Sequence, residues 1–462
     1  MNKPLDAFVP ANHLLRRVEA CIDFRKLAEP LSFDYHPDQG RPSIPPEVLV
    51  RALTLGYVYR IPSFRRLCEA ISENLAFRWF LFLGLEDEVF DHSTITVFMQ
   101  RVGPKGFRSL LTRLNHQLAQ AGLSTGQAYV DSSLVPAAVS GEKLSPSTLS
   151  PEEFARVAIK ENDVFFSCEA VREARWADFR VAKRRLVRRY FQDGKGRLPL
   201  HPRDPDARWR TMGKRKAVLS YKHHVLVDER GFILAQRMTH STTRDPDVVL
   251  ELLDEAPADI RVLTADTGYS LGRLRRCLEQ RGIEAYIPLH TRHLEHRKKR
   301  KEFHLMDSKH LICPAGRILQ RSTWDKRHEC WLYAARVRDC QACNLKTTCL
   351  PPRSVRRFVQ LSEYEQEFIR AEERNSTIRY QRMMRRRKTV VEGIFAHLDA
   401  LGLERLRRYG LAAVQSEGYL AALAHNILKA LRYMAGPRRA ALSRALTSWP
   451  NASSLRTDLT TA

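Results

Sequence analysis

QAYVDSSLVPAAVS, residues 127–140, puts a charged residue inside an apolar strand. Ala128, Tyr129 and Val130 read as a buried strand, Leu134 and Val135 resume it, and Asp131 stands between them beside two serines. A carboxylate in a core strand is costly unless something offsets its charge. The strand therefore predicts a partner for Asp131, and the rest of the chain has to supply it.

Downstream, SYKHHVLVDERGFILAQRMT (220–239) has two β-rich arms about a DERG turn, the pattern of a hairpin. DPDVVLELLDEA reads as a helix, RVLTADTGYS (261–270) as a strand, LGRLRRCLEQRG as a helix and EAYIPL (284–289) as a strand. This order predicts an α/β fold around one mixed sheet flanked by helices. The second strand repeats the oddity of the first, since it ends in Asp266 with Gly268 where the chain turns. Two aspartates delivered by strands suit a hard cation such as Mg²⁺, which binds few carboxylates together with water and phosphate oxygens. Two such ions can serve an in-line phosphoryl displacement. A third acid would complete the set, and Glu392 is the best candidate. It borders the stripe Val391, Ile394, Phe395, Leu398 and Leu401 on a helix and shares a face with Arg385, Lys388 and Asp399. Glu392 also fits an ordinary surface pair with Lys388.

Upstream, PPEVLVRALTLGYVYR has helical periodicity. Ser63 can cap a second helix, and Ser93 or Thr94 a third. Residues 1–46 read as irregular and 47–122 as a helical module with arginines on its outer faces. Residues 123–434 read as the α/β domain, with a basic helical insert at 137–215 and a basic Cys-rich insert at 290–355. Residues 435–462 read as a frayed, disordered tail.

Lys+Arg 77 against Asp+Glu 52 gives a net charge of +25. The positive charge is clustered, as in KRRLVRR (183–189), RKKRK (297–301) and RRRK (385–388). Such clusters attract a polyanion, of which DNA or RNA is the commonest, although solvated helix faces would also carry them. No long apolar run suggests a membrane span, and the N-terminus lacks a signal-peptide pattern, so a cytoplasmic, nucleoid-associated protein is expected.

Together these motifs resemble the bacterial DDE insertion-sequence transposases of group eleven-eighty-two, related to the IS-four and IS-five types. The resemblance runs from about residue 40 to 434. IPPEVLVRALTLGYVYR…DHSTITVFMQR is similar to the group's helical N-terminal domain, and YVDSSLV to its first-aspartate strand. DPDARW…YKHHVLVD resembles its central hairpin, and TADTGY its second-aspartate motif. RRRKTVVEGIFAHL…GLERLRRYGL with AALAHNILKAL is similar to the glutamate helix and its partner. The resemblance implies a ribonuclease-H-like fold with Asp131, Asp266 and Glu392 as catalytic ligands of two Mg²⁺ or Mn²⁺ ions. It further implies DNA contacts by Arg385, Lys388, Arg405, Arg407, Arg408 and Lys222, action on transposon terminal inverted repeats and target DNA, and a homodimer on DNA. Thr267 and Asp399 stand where relatives carry Lys, which bears on end binding and leaves the metal ligands untouched. The rival functions are a non-catalytic DNA-binding descendant and a ribonuclease-H-type nuclease without strand transfer.

Nine cysteines in a cytoplasmic chain argue against a disulfide framework. Cys340-x2-Cys343-x5-Cys349, with Cys313 beside a turn, has zinc-knuckle spacing and predicts a structural Zn²⁺ site. Reduced thiols packed in an irregular insert are the alternative. Cys330, between Glu329 and Trp331, reads as a strand residue.

Overall fold

The computed structural model describes residues 5–34, 44–122, 125–139, 204, 206–211, 217–257, 259–291, 302–307, 309–325 and 329–434. Most of the insert expected at 137–215, the basic run 292–301 and the tail 435–462 lie outside the described residues. The chain forms two compact units, one of residues 1–260 with 388–462 and the other of residues 261–387.

In the first unit, residues 1–46 are not irregular throughout. They contain α1 (Leu14–Cys21) and α2 (Phe24–Ala28), because Leu15, Val18, Phe24 and Leu27 recur at helical spacing and are buried. Pro45 and Pro46 start α3 (Pro46–Val58), where a missing N–H costs nothing. Leu49, Val50, Ala52, Leu53 and Leu55 bury it on nearly every side. Within it Arg51, 3% exposed, pairs with Glu19 and Glu47 and lies among the rings of Phe24, Phe80 and Phe82. The expected cap Ser63 accepts the Arg66 N–H at the start of α4 (Phe64–Glu73), which precedes α5 (Leu75–Phe80). For α6 (His92–Gln120) the cap is Asp91, whose carboxylate accepts the Ser93 N–H, in place of Ser93 or Thr94. A carboxylate adds a favourable charge at the positive helix end. Gly103, at φ 58°, and Pro104 divide α6 into two helical stretches.

The sheet of the first unit is built on β3 (Ala217–Asp228). Strand β1 (Gln127–Pro136) pairs along one edge; β2 (Arg208–Thr211) and β4 (Ile233–His240) share the other, all antiparallel. The two arms of the expected hairpin are β3 and β4. Tyr221 through Asp228 are all buried, as a central strand covered on both faces requires. Helix α7 (Val249–Glu255) follows.

In the second unit, β5 (Val262–Thr264) and β6 (Glu284–Tyr286) are parallel and joined through α8 (Gly272–Gln280). Residues 304–362 form a five-stranded antiparallel sheet, where an interrupting insert was expected. Its order is β11 (Phe358–Ser362), β10 (Cys330–Ala334), β9 (Ile318–Asp325), β8 (His310–Ile312), β7 (His304–Leu305). It has its own small core of Leu311, Leu319, Tyr333, Ala335 and Val359. Helix α9 (Glu365–Asn375) packs on α8, held by Arg276–Glu367 and Arg370–Glu279 pairs.

Helix α10 (Ile378–Leu398) begins in the second unit and ends in the first, and α11 (Leu411–Met434) closes the first. The buried Asn426 amide pins α11 to the sheet: it accepts the Ile233 N–H and donates to the Ile233 carbonyl and to Asn115. Among the described residues no helix is long and apolar enough to cross a membrane.

Candidate active site

The β1 strand shows how Asp131 is presented. Tyr129 and Val130 are fully buried, and burial relaxes to intermediate from Asp131 to Leu134. The aspartate thus stands where the strand leaves the core, and Ser132 N–H donates to its Oδ1 at 2.8 Å. Because side chains alternate along a strand, Asp131 shares a face with Tyr129 and Ser133, and with their partners Val225 and His223 on β3. On that face the His223 ring meets Phe395 of α10 edge-on, centroids 6.4 Å apart. Burial pushes the His223 imidazole down to about 3, with His224 beside it adding to the shift and a hydrogen bond with Gln236 opposing it, so the ring is neutral.

Phe395 lies three residues after Glu392. The expected stripe is inside, with Val391, Ile394, Leu398 and Leu401 at 2% exposure or less, while Glu392 is exposed along its edge. The half of α10 that carries Glu392 therefore packs on the sheet face that carries Asp131. Both residues belong to the first unit.

Asp266 belongs to the second unit. It follows β5 and caps the turn Thr267–Tyr269, its Oδ1 accepting the Gly268 N–H at 2.8 Å. Its side chain is 46% exposed, and Arg387 approaches Oδ2 at 3.8 Å. Arg387 was missed in the sequence because nothing local separates it from the other arginines of RRRK. Thr267 sits in this turn; Asp399 is an exposed residue opening the π-turn Asp399–Leu403, its acid raised by desolvation and by Glu404.

The opposite face of β1 carries a second polar group that the sequence did not suggest. Asp245 accepts from Ser132 Oγ at 2.5 Å and pairs with Lys222 Nζ at 3.2 Å, and His224 Nδ1 lies 3.6 Å away. Lys222, expected at DNA, is 7% exposed and spent on Asp245 and the Thr243 carbonyl. The period-two pattern could have revealed this, since Lys222, His224 and Ser132 all fall on the face opposite Asp131.

The remaining basic candidates divide. Arg385 and Lys388 are exposed on α10. Arg405 donates to the Ala137 and Ala138 carbonyls, Arg407 to the Ile61 carbonyl, and Arg408 lies over the Phe64 ring. These three hold the segment after α10 in place. Asp204 and Asp206, from DPDARW, accept the N–H groups of Gly410 and Leu411 at the start of α11. Cys313, Cys340, Cys343 and Cys349 all line one cavity in the second unit. Among the described residues, no three His, Cys, Asp or Glu side chains are already drawn together as a closed metal-binding group.

Residues 3–101 match the family model described as "Transposase domain (DUF772)", and residues 312–431 match "Transposase DDE domain". Both models describe transposase domains. These two stretches of the chain are thus similar to transposase domains, the second to one of the DDE kind. The DDE match contains Glu392 and all four cysteines, and Asp131 and Asp266 lie outside it. Among solved structures, a cryo-EM structure of the piggyBac transposase synaptic complex with hairpin DNA aligns over 96% of this chain and 82% of that one. Identity is 10% and the TM-score 0.27, a likeness too low to carry an argument. No curated protein matches the chain.

Proposed function

We propose that the chain is a DNA transposase that cuts the ends of its insertion sequence and joins them to target DNA, with Asp131, Asp266 and Glu392 as one set of metal ligands. The observation that carries this is the packing of the Glu392 half of α10, through Phe395 on His223, against the sheet face that presents Asp131. The transposase domain matches support the same reading. The antiparallel set β1, β3, β4 and the parallel pair β5–β6 support the ribonuclease-H-like reading of the fold.

The donors suit Mg²⁺ or Mn²⁺: all three are hard carboxylates at the edge of burial, and the cation facing Asp266 here is the Arg387 guanidinium. Bound in a pair, such ions activate the attacking oxygen and stabilise the leaving one. The protein's part is to orient. Strand β1 fixes the Asp131 carboxylate through the Ser132 N–H, the turn after β5 fixes Asp266 through the Gly268 N–H, and the apolar stripe of α10 sets the rotation that presents Glu392. Arg385 and Lys388, on the same helix, bind DNA phosphate and hold the scissile bond in line. Two transposon ends need two active sites, so the working form is a homodimer on DNA.

The test is nicking and strand transfer by Asp131→Asn, Asp266→Asn and Glu392→Gln on DNA carrying the native element's ends. Each variant should lose about a hundredfold or more in nicking while still binding DNA. Wild-type nicking rates in all three would remove the DDE mechanism. A wild-type protein that nicks and never joins labelled ends to a plasmid would be the nuclease, and one that binds without nicking the non-catalytic descendant.

A further inference from the structure

The antiparallel sheet of the second unit carries a feature that phosphoryl transfer does not use. Cys313 follows β8 at the turn into β9, where Gly316, at φ 69°, returns its N–H to the Cys313 carbonyl. Cys340 lies in the helical turn Val337–Gln341, and Cys349 ends the turn Lys346–Cys349. Between them, Cys343 donates its N–H to the Cys340 carbonyl, and Lys346 donates to the Cys343 carbonyl. Two segments separated along the chain by the two strands β9 and β10 thus bring four thiols to the lining of one cavity.

They line a cavity of about 30 Å³, together with Arg317, Lys346 and Arg357. A water needs about 10–15 Å³ of such space, so there is room for a single ion. Backbone N–H groups already point at two of the sulfurs: Arg317 N–H donates to Cys313 Sγ at 3.3 Å and Arg357 N–H to Cys340 Sγ at 3.4 Å. Such bonds are the outer support that orients thiolate ligands. Four thiolates gathered there without a cation would repel one another. A divalent ion removes that repulsion, and the three basic residues offset the remaining negative charge.

We propose that Cys313, Cys340, Cys343 and Cys349 form a closed structural Zn²⁺ site that ties the β8–β9 turn to the two helical turns after β10. Four sulfur ligands leave no open position, so the site is structural and not catalytic. As placed, the thiols line the cavity without being closed on a common point, and rotation of the cysteine side chains on metal binding would complete the set. Ligation displaces the thiol protons, so binding is pH-dependent and releases acid. Cys330, 5% exposed in β10 and absent from the cavity lining, is not a ligand.

The experiment uses the full chain, purified under reducing conditions without chelator, and measures zinc by mass spectrometry. The expected result is one zinc per chain. Cobalt exchanged into the chelated protein should give the intense visible bands of a tetrahedral site and near-ultraviolet thiolate charge-transfer bands. Cys313→Ser and Cys343→Ser should each weaken metal binding at least about tenfold, whereas Cys330→Ser should retain zinc at the wild-type ratio. Cys349→His, which keeps a ligand, should still take cobalt with one fewer charge-transfer contribution. A wild-type protein without zinc that gives no tetrahedral cobalt spectrum would overturn the proposal, as would wild-type zinc affinity in Cys313→Ser. The readout is metal content and spectrum, so failure here leaves the nicking experiment untouched.

Discussion

Arg385 and Lys388 provide the sharpest quantitative test of DNA engagement, because they are exposed three residues apart on the helix that carries Glu392. Each phosphate that a cation neutralises releases about 0.9 of a counterion on duplex DNA, so removing both should lower the slope of log affinity against log salt by about 1.8. Over a fourfold rise, from roughly 50 to roughly 200 mM salt, the wild type should then lose about twelvefold more affinity than Arg385→Ala/Lys388→Ala. The assay is a salt titration of binding to end DNA by fluorescence anisotropy. Two controls isolate the cause. Asp131→Asn should keep the wild-type slope, since it removes no cation. Lys222→Met should also keep it, because that ammonium is buried against Asp245. An unchanged slope in the double variant would refute the placement of DNA along α10. A reduced slope in Lys222→Met would refute the assignment of Lys222 to the interior.

Glu417 is 4% exposed, and burial pushes its acid from 4.5 to about 7. Folding therefore favours the protonated form: that stability is present below about pH 4.5 and lost as pH rises through about 7. Glu417→Gln should accordingly gain up to about 3 kcal/mol over the wild type at pH 8 and nothing at pH 4, read from melting temperatures across that range. Arg51→Ala strands Glu19 and Glu47 around a vacated buried site and should cost about 3–5 kcal/mol in thermal or denaturant unfolding. A loss well under about 1 kcal/mol would mean the pairs are dispensable. Gly272→Ala places a methyl 2.4 Å from Tyr364 Cβ, and the resulting overpacking should destabilise the second unit by about 1–3 kcal/mol, measurable by hydrogen exchange in α8.

Local periodicity and turn chemistry made much of this protein readable from its sequence. The β3–β4 hairpin followed from alternation about DERG, α4 from Ser63, and the buried stripe of α10 from the spacing of Val391, Ile394, Leu398 and Leu401. These features depend on residues within a turn or two of one another, so the chain states them directly. The three acids stand out on the same local ground, as carboxylates beside apolar runs, and by the order of the motifs that carry them. What a polar residue faces is decided elsewhere. Lys222 reads as one more cation in a basic chain, and only its register with Leu134 and the approach of Asp245 turn it inward. Arg405 and Arg407 were available to DNA in the sequence and are committed to backbone carbonyls in the fold. Residues 304–362 contain strands too short and polar to announce themselves, and they become a sheet because pairing and a five-residue core reward them jointly. The packing of Phe395 on His223 joins residues about 170 positions apart. No local pattern encodes that contact, because its free energy exists only once the chain has closed the intervening loop.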